Sequence, residues 1–525
     1  MSTGNFSSKN RTAIIEKMST DEFDVLIIGG GITGAGIALD ATARGLKVAL
    51  IDMQDFAAGT SGRSTKLIHG GLRYLKQLEF KLVAEVGKER EIIHRNAPHL
   101  TKPERMLLPI VKGGSLGKFS TRIAMWIYEW LAGVKKEEWH KVLSKEETIV
   151  TEPLLEQKNL LGAVLFYEYR TDDARLTIEV IKEAVDRGAI ALNYMKAVSF
   201  NYDNEKVSGA LVQDQFTKKE YNIKAKYIVN AGGPWVDELD DLERKKEPHK
   251  LQLTKGVHIV VDHSKLPIKQ AVYFDAPDKR MIFIIPREGK TYIGTTDTFY
   301  DGDLKDPIID QSEKDYLLKC VNVYFPTNQL QHTDIESGWA GLRPLIKKPG
   351  KGPSEISRKD ELFESSSGMI IIAGGKLTGY RKMAERVVDL ICRKIKNPSR
   401  VCITDTIELA GGEFNSHNHF IAFKEDTIKE GVSIGLTEKE SELLVYRYGA
   451  NTKTILAYIK RLTNSEEHMI PILLRAQIHY CIENEMCLTA EDFLTRRTRM
   501  SYFDIGEMKK WRNEIEIYFT KSLNR

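Results

Sequence analysis

Cysteine is scarce in this sequence: five in 525 residues, at Cys320, Cys392, Cys402, Cys481 and Cys487. None forms a Cys-x-x-Cys pair, and an odd number fits no disulfide framework. The pattern excludes a disulfide scaffold and a zinc module and suits a reducing compartment. Long apolar runs are missing too. No stretch approaches the ~20 residues that a membrane-spanning helix needs. Residues 1–20 are polar and hold no apolar segment of a secretory signal. A cytoplasmic protein is expected, or one attached to a membrane surface. Nor is there an excess of one charge: 77 Lys and Arg against 73 Asp and Glu leave a net +4. That balance gives no argument for nucleic acid, so any preference for anions must come from local clusters. Internal repeats and long low-complexity segments are also absent. What remains is 42% hydrophobic and 29% charged, an ordinary soluble composition in a chain long enough for about three domains.

What the chain does have is Asp24-Val-Leu-Ile-Ile-Gly-Gly-Gly-Ile-Thr-Gly-Ala-Gly36. Residues 25–28 read as a buried parallel strand. The strand empties into Gly29-x-Gly31-x-x-Gly34, which opens a helical pattern through Ile37, Ala38, Ala41 and Ala43 and closes at Gly45. A second apolar run, residues 47–51, ends in Asp52. This is a dinucleotide-binding βαβ fingerprint in its full context. Gly29 allows the tight turn, Gly31 lets the backbone approach a pyrophosphate, and Gly34 lets helix and strand pack closely. The helix N-terminus offers unpaired N–H groups to phosphate, and Asp52 can accept from a ribose hydroxyl. The motif alone does not choose between NAD and FAD, nor between an enzyme and a nucleotide-sensing module.

Two further strands run into glycines in the same manner: residues 225–230 into Ala231-Gly-Gly-Pro234, and residues 369–373 into Gly374-Gly-Lys-Leu-Thr378, with a helix over 380–395. Three strand–glycine junctions on one sheet suggest a large cofactor threaded across it. Short strands at 258–261, 270–274, 281–286 and 291–295 predict a mainly antiparallel sheet. Residues 115–134 are amphipathic, with Trp126 and Trp130 beside Lys118, Arg122, Lys135 and Lys136, a pattern for a helix packed on its own domain or lying on an anionic membrane surface. Beyond residue 398 the pattern turns helical. Thr437-x-x-Glu440 reads as a capping box, and Thr489-x-x-Asp492 opens another helix.

With these elements placed, the chain resembles the FAD-dependent glycerol-3-phosphate dehydrogenases, quinone-linked respiratory enzymes, over nearly its whole length after residue 20. The resemblance rests on the first glycine motif and on Thr60-Ser-Gly-Arg-Ser-Thr-Lys-Leu-Ile-His-Gly-Gly-Leu-Arg-Tyr74. It continues through Val229-Asn-Ala-Gly-Gly-Pro-Trp235, Lys255-Gly-Val-His258, Ala340-Gly-Leu-Arg-Pro344, Gly374-Gly-Lys-Leu-Thr378 and Glu491-Asp-Phe-Leu-Thr-Arg-Arg-Thr498. It implies an α/β fold: a Rossmann-like FAD-binding domain of the glutathione-reductase/D-amino-acid-oxidase type, an antiparallel-sheet substrate domain and a C-terminal α-helical domain. The expected division is a polar extension over 1–20, an oxidoreductase region over 21–404 and a helical domain over 405–525. Within the second, FAD-binding segments 21–110, 170–240 and 335–404 alternate with substrate segments 111–169 and 241–334. One departure is Asp52, where such flavoproteins usually carry Glu.

The implied reaction takes a hydride from the carbinol carbon of sn-glycerol 3-phosphate to FAD, giving dihydroxyacetone phosphate, with electrons passed to a membrane quinone. Substrate residues implied by the resemblance are Arg73, Tyr74, His258, Arg343, Arg358 and Lys376. Among them Arg73, Tyr74, Arg358 and Lys376 take the phosphate, Arg343 stabilises alkoxide charge, and His258 is the leading base, with His69 in reserve. FAD, bound non-covalently, would contact Gly29, Gly31, Gly34, Asp52, Thr60, Ser61, Lys66, His69, Val198, Gly232, Gly233, Gly375, Leu377 and Thr378. No metal and no nucleic acid are implied. Peripheral contact with the inner face of the cell membrane, through 115–134 or through Lys509 and Lys510, and a homodimer are compatible with the resemblance. The rival readings are an oxygen-using oxidase of glycerol 3-phosphate or of an amino acid, and a non-catalytic redox sensor. The chain has no obvious insertion of the kind the oxygen users carry.

Overall fold

The computed structural model describes residues 4–70, 80–114, 125, 126, 129, 138–245, 248–347, 350, 359–397, 400–463 and 469–523. Glu22–Ile28 is apolar after its first residues and buried. It can therefore sit only inside a sheet covered on both faces, which favours parallel neighbours. It pairs parallel with Val48–Ile51 on one side and Glu220–Asn230 on the other. Ile370–Ala373 and Ile190–Leu192 extend the parallel set. The order across this sheet is Glu361–Glu364, Ile370–Ala373, Glu220–Asn230, Glu22–Ile28, Val48–Ile51, Ile190–Leu192. The three strands that run into glycines are thus adjacent and point the same way, and their carboxyl ends open one crevice. The antiparallel hairpin Met195–Asp203 and Lys206–Asp214 adds to Glu220–Asn230.

The second sheet has ten strands and is antiparallel except where Ala271–Asp275 meets Thr101–Val111. Leu251–Asp262 is its spine, paired with Ile335–Ile346 on one edge and Lys290–Gly294 on the other. Two expected boundaries shift as a result. Thr101–Val111 and Ile335–Ile346 lie in this sheet rather than in the FAD-binding segments, because their ladder hydrogen bonds go to Leu160–Thr171 and Leu251–Asp262.

The helical domain runs from His417–Ser433 to Ile505–Ser522 around buried Tyr448, Ile455, Leu456, Ile478, Phe493 and Ile515. The capping box forms: Thr437 Oγ1 accepts from Glu440 N–H at 3.2 Å, and a Glu440 carboxylate oxygen accepts from Thr437 N–H at 2.8 Å. Thr489 and Asp492 exchange the same pair of bonds at 3.0 and 3.1 Å and open a π-helical turn over Asp492–Arg497. The N-terminal segment is not a loose extension. Arg11–Thr20 is a helix that buries Ile14, Ile15 and Met18. Before it, Ser8 Oγ donates to Cys487 O at 2.7 Å and Met486 N–H to Phe6 O at 2.9 Å. A few apolar residues spaced along a polar stretch sufficed to dock it. All five cysteines are unbridged. Among the described residues no helix is long and apolar enough to cross a membrane.

Candidate active site

The crevice at the carboxyl ends of the parallel strands is built from backbone. Gly29 sits at φ +117°, where a side chain is strained, and a Cβ there would stand 2.4 Å from Ala231 O. A Cβ on Gly34 would stand 1.9 Å from Gly29 O. These glycines let the helix Ile32–Ala43 start directly against the strand end, with glycine as its N-cap. Ser61 Oγ accepts from Ile32 N–H at 2.9 Å. Asp52 stands at one end of the crevice. Its carboxylate accepts from Gly30 N–H at 2.7 Å and Gln54 N–H at 2.8 Å. Burial pushes its pKa up to about 7, against the pull of those two bonds. Met195, Lys196, Ala197 and Val198 line that end, and Gly232, Gly233, Gly375 and Leu377 line the middle. A long, glycine-walled groove with a helix N-terminus in its flank and an acid at one end suits a dinucleotide: phosphate meets N–H groups and a ribose meets the carboxylate.

A second cavity opens from the first. Ile32, Thr60, Ser61, Pro344, Gly375, Lys376 and Leu377 line both. The second is walled by His69, His258, Arg343 and Thr378. Two strands of the antiparallel sheet supply its floor. In the ladder His258 faces Trp339, Gly256 faces Gly341 and Thr254 faces Arg343. Alternation puts all six on one face of the sheet. The two glycines leave bare backbone between the imidazole and the guanidinium. A Cβ on Gly256 would stand 2.2 Å from Arg343 Nη2, and one on Gly294, across from His258 on the other side, 2.3 Å from its ring.

Both side chains are fixed from behind. Arg343 Nη1 donates to Asp297 Oδ1 at 3.0 Å and Nη2 to Thr295 Oγ1 at 3.0 Å. His258, 2% exposed, stacks on Trp339 with centroids 4.8 Å apart. Its Nε2 meets Thr65 Oγ1 at 3.0 Å, and Nδ1 has no hydrogen-bond partner among the described residues. Burial, with the charges of Arg343 and Lys66 behind it, holds the imidazole well below its ordinary pKa. It is therefore neutral before a substrate binds. Thr65, Thr295 and Asp297, which hold these two side chains, were not among the residues expected from the sequence. For Thr295 and Asp297 the signal in the sequence was the polar run Thr295-Thr-Asp297 after an apolar strand.

The expected residues divide as follows. Thr60, Ser61, His69, Val198, Gly375, Leu377 and Thr378 line one cavity or both, with Lys376 between them. Thr60 Oγ1 is committed to Leu342 O at 2.6 Å, and Thr378 Oγ1 accepts from His69 N–H at 3.3 Å. Lys66 is not brought to the crevice. Its ammonium is buried on Asp173 at 2.8 Å and Gly62 O at 3.1 Å, 5.0 Å from the Trp339 ring centroid. At that depth an ammonium needs a carboxylate beside it, so the Lys66 side chain braces the 60–66 loop from beneath. Arg73, Tyr74 and Arg358 lie outside the described residues, as does Trp130 with most of 115–134; Trp126, within it, is exposed.

Residues 24–381 match the FAD dependent oxidoreductase family, and residues 402–525 match the C-terminal domain of alpha-glycerophosphate oxidase. The aerobic glycerol-3-phosphate dehydrogenase of Bacillus subtilis (strain 168) is 51% identical over 97% of this chain and 93% of its own length. That of Staphylococcus haemolyticus is 50% identical over 99% and 94%. The solved structure of the glycerol-3-phosphate dehydrogenase from Bacillus halodurans, complexed with FAD, superposes with a TM-score of 0.86 at 45% identity, covering 99% of this chain and 94% of that one. The L-alpha-glycerophosphate oxidase from Mycoplasma pneumoniae, 18% identical with a TM-score of 0.58, shares the fold. Crevice, family matches and relatives agree: the chain belongs to the FAD-dependent oxidoreductases, in the family of the aerobic glycerol-3-phosphate dehydrogenases.

Proposed function

We propose that the protein oxidises sn-glycerol 3-phosphate to dihydroxyacetone phosphate. One observation carries this reading. A guanidinium, an ammonium and a neutral imidazole, from Arg343, Lys376 and His258, wall a single cavity that opens into the dinucleotide crevice through shared residues. FAD, when bound in that crevice, supplies the hydride acceptor. The chain's own residues supply the rest. Arg343, aimed by Asp297 and Thr295, stabilises negative charge on the carbinol oxygen as its proton departs. That proton goes to His258 Nε2, directly or across Thr65 Oγ1. Loss of the proton and of the hydride from carbon leaves the carbonyl of the product. A dianionic substrate would also draw the imidazole's pKa back up, since opposite charge favours the imidazolium. Lys376 takes the phosphate, with Arg73, Tyr74 and Arg358 as the partners that the resemblance implies. His69 stays in reserve as a second base at the same wall. The electron acceptor in this reading is a membrane quinone, reached by peripheral contact. Lack of affinity for anionic vesicles at low salt would reject direct attachment.

The test is direct. Purified protein is expected to be yellow, and anaerobic sn-glycerol 3-phosphate is expected to bleach it promptly, whereas glycine and D-amino acids leave the colour. Arg343→Ala should fold, keep the flavin and lose roughly a hundredfold in reduction rate. Bleaching by an amino acid instead, or an Arg343→Ala rate near that of the parent, would overturn the assignment.

A further inference from the structure

The segment Glu491-Asp-Phe-Leu-Thr-Arg-Arg-Thr498 belongs to the helical domain, yet its side chains reach Asp55 and Tyr194, which adjoin residues lining the crevice. Asp55, three residues beyond Asp52, is 1% exposed. Its carboxylate accepts from Arg496 Nε at 2.5 Å, from Arg497 Nη1 and Nη2 at 2.7 and 3.0 Å, and from Asn193 Nδ2 at 2.8 Å. Asp492 accepts from Tyr194 Oη and from Arg496 Nη2, both at 2.6 Å. Asn193 and Tyr194 form the turn between Ile190–Leu192 and Met195–Asp203. Main-chain bonds tie that turn to the loop after Asp52: Asp52 N–H to Leu192 O at 3.0 Å, Tyr194 N–H to Gln54 O at 2.9 Å and Met195 N–H to Asp52 O at 2.6 Å. Asp52, Met53, Gln54 and residues 195–198 are the walls of one end of the crevice.

The charges show what the arrangement does. A carboxylate as buried as Asp55 is costly unless ionic partners reach it. Both guanidiniums that reach it come from the other domain. Undocking that domain would strip this carboxylate, three residues from the crevice acid and in the loop that shapes the crevice, of both its guanidinium partners. The ions are in turn held on their far side, where Arg497 Nη2 donates to Glu485 O at 2.9 Å.

We propose that Asp492, Arg496 and Arg497 are positioning residues for the cofactor. Through Asp55 and Tyr194 they hold the 52–55 loop and the 193–198 edge in the shape that receives the adenosine half of FAD. Retention of FAD depends on this clamp, and the chemistry on the substrate does not. The inference goes beyond the proposed reaction and is independent of it, because its readout contains no substrate.

Holoenzyme of Asp55→Asn, Arg496→Gln, Tyr194→Phe and the double variant Asp55→Asn/Arg496→Gln would be diluted, and FAD release followed by the rise in flavin fluorescence. Ile515→Ala, in the core of the same domain and fully buried, serves as the reference for lost stability without contact to the loop. Expected are release rates about tenfold faster or more for Asp55→Asn and Arg496→Gln, a smaller gain for Tyr194→Phe, and a double variant close to Asp55→Asn alone, because both changes strike one ion cluster. Turnover in excess FAD should stay within about twofold of the parent, since these groups do not touch the reacting atoms. The proposal is overturned if Ile515→Ala releases FAD as fast at an equal loss of thermal stability, if the two single effects simply multiply, or if turnover falls while release does not change. Should Asp55→Asn not fold, Arg496→Gln and Tyr194→Phe against Ile515→Ala decide the question.

Discussion

The dinucleotide crevice is walled by backbone; the pocket that opens from it is walled by side chains. In the first, three parallel strands end in glycines and a helix begins at a glycine N-cap, a geometry that turns main-chain N–H groups toward a dinucleotide. In the second, an imidazole and a guanidinium stand on an antiparallel floor and are braced by Trp339, Thr65, Thr295 and Asp297. A backbone site tolerates no added atom on its glycines and is indifferent to most other substitutions. A side-chain site fails by loss of aim as well as by loss of a group. The two regions should therefore fail differently, the first by losing FAD and the second by keeping FAD and losing turnover.

Gly34→Ala carries the largest expected effect. The new methyl would sit 1.9 Å from Gly29 O, a main-chain atom one residue past a strand paired on both sides, whose own N–H is held on Ile51 O at 2.8 Å, so helix and strand have little room to yield locally. The variant should be recovered, if folded, without flavin colour, its affinity for FAD down by more than about a hundredfold. Absorbance of the purified protein and titration with FAD measure this. A yellow Gly34→Ala protein would show that helix and strand can part without harm, and the backbone account of the crevice would fail.

Gly294→Ala should do the opposite. Its methyl would stand 2.3 Å from the His258 ring, and that ring is trapped against Trp339. Flavin content should match the parent, while reduction by substrate falls about a hundredfold from misplacement alone. Stopped-flow reduction at matched flavin content separates the two. Loss of flavin here would mean that the pocket and the crevice are not mechanically separate.

The same contrast explains what the sequence disclosed. Backbone sites leave a local record: Gly29, Gly31, Gly34, the strand before them and Asp52 after them lie within one short segment, and the same spelling recurs at Gly232 and Gly374. The parallel sheet and the helical domain, with its Thr437 and Thr489 caps, were legible for this reason. The floor of the pocket left only half a record. Gly256-x-His258 and Gly341-x-Arg343 each show period-two spacing, but that they face each other depends on a ladder pairing between strands some eighty residues apart. Asp297 and Thr65 bond to Arg343 and His258 from segments distant in sequence, so little local pattern marks them. The side chain of Lys66 could not be placed from the sequence, because an ammonium in a glycine-rich loop reads as a phosphate ligand. The buried Asp173 that claims it lies far along the chain. The N-terminal helix was read as a polar extension because its apolar residues are few, and they join a hydrophobic cluster made mostly by residues distant in sequence.

The smallest expected effect is one of sign, and it sets the two regions against each other in the apoprotein. Asp52 has its pKa pushed up to about 7 by burial. Between the ordinary carboxylate range and about pH 7 the folded state holds a proton that the unfolded state has lost. Stability from this group therefore falls as pH rises across that window. His258 is held well below its ordinary value. Below about pH 6.5 the unfolded state takes up a proton that the folded state refuses, so stability from this group falls as pH drops. Each contribution has a limiting slope of about 1.4 kcal/mol per pH unit. Asp52→Asn should then gain on the parent as pH rises toward neutrality, and His258→Gln should gain on it as pH falls below that point. Urea denaturation of the three apoproteins at several pH values compares them. Difference curves that slope the same way would mean that one of the two groups is not in the protonation state its surroundings impose. FAD should flatten the Asp52 curve alone, because a ribose hydroxyl donating to the carboxylate favours its ionised form.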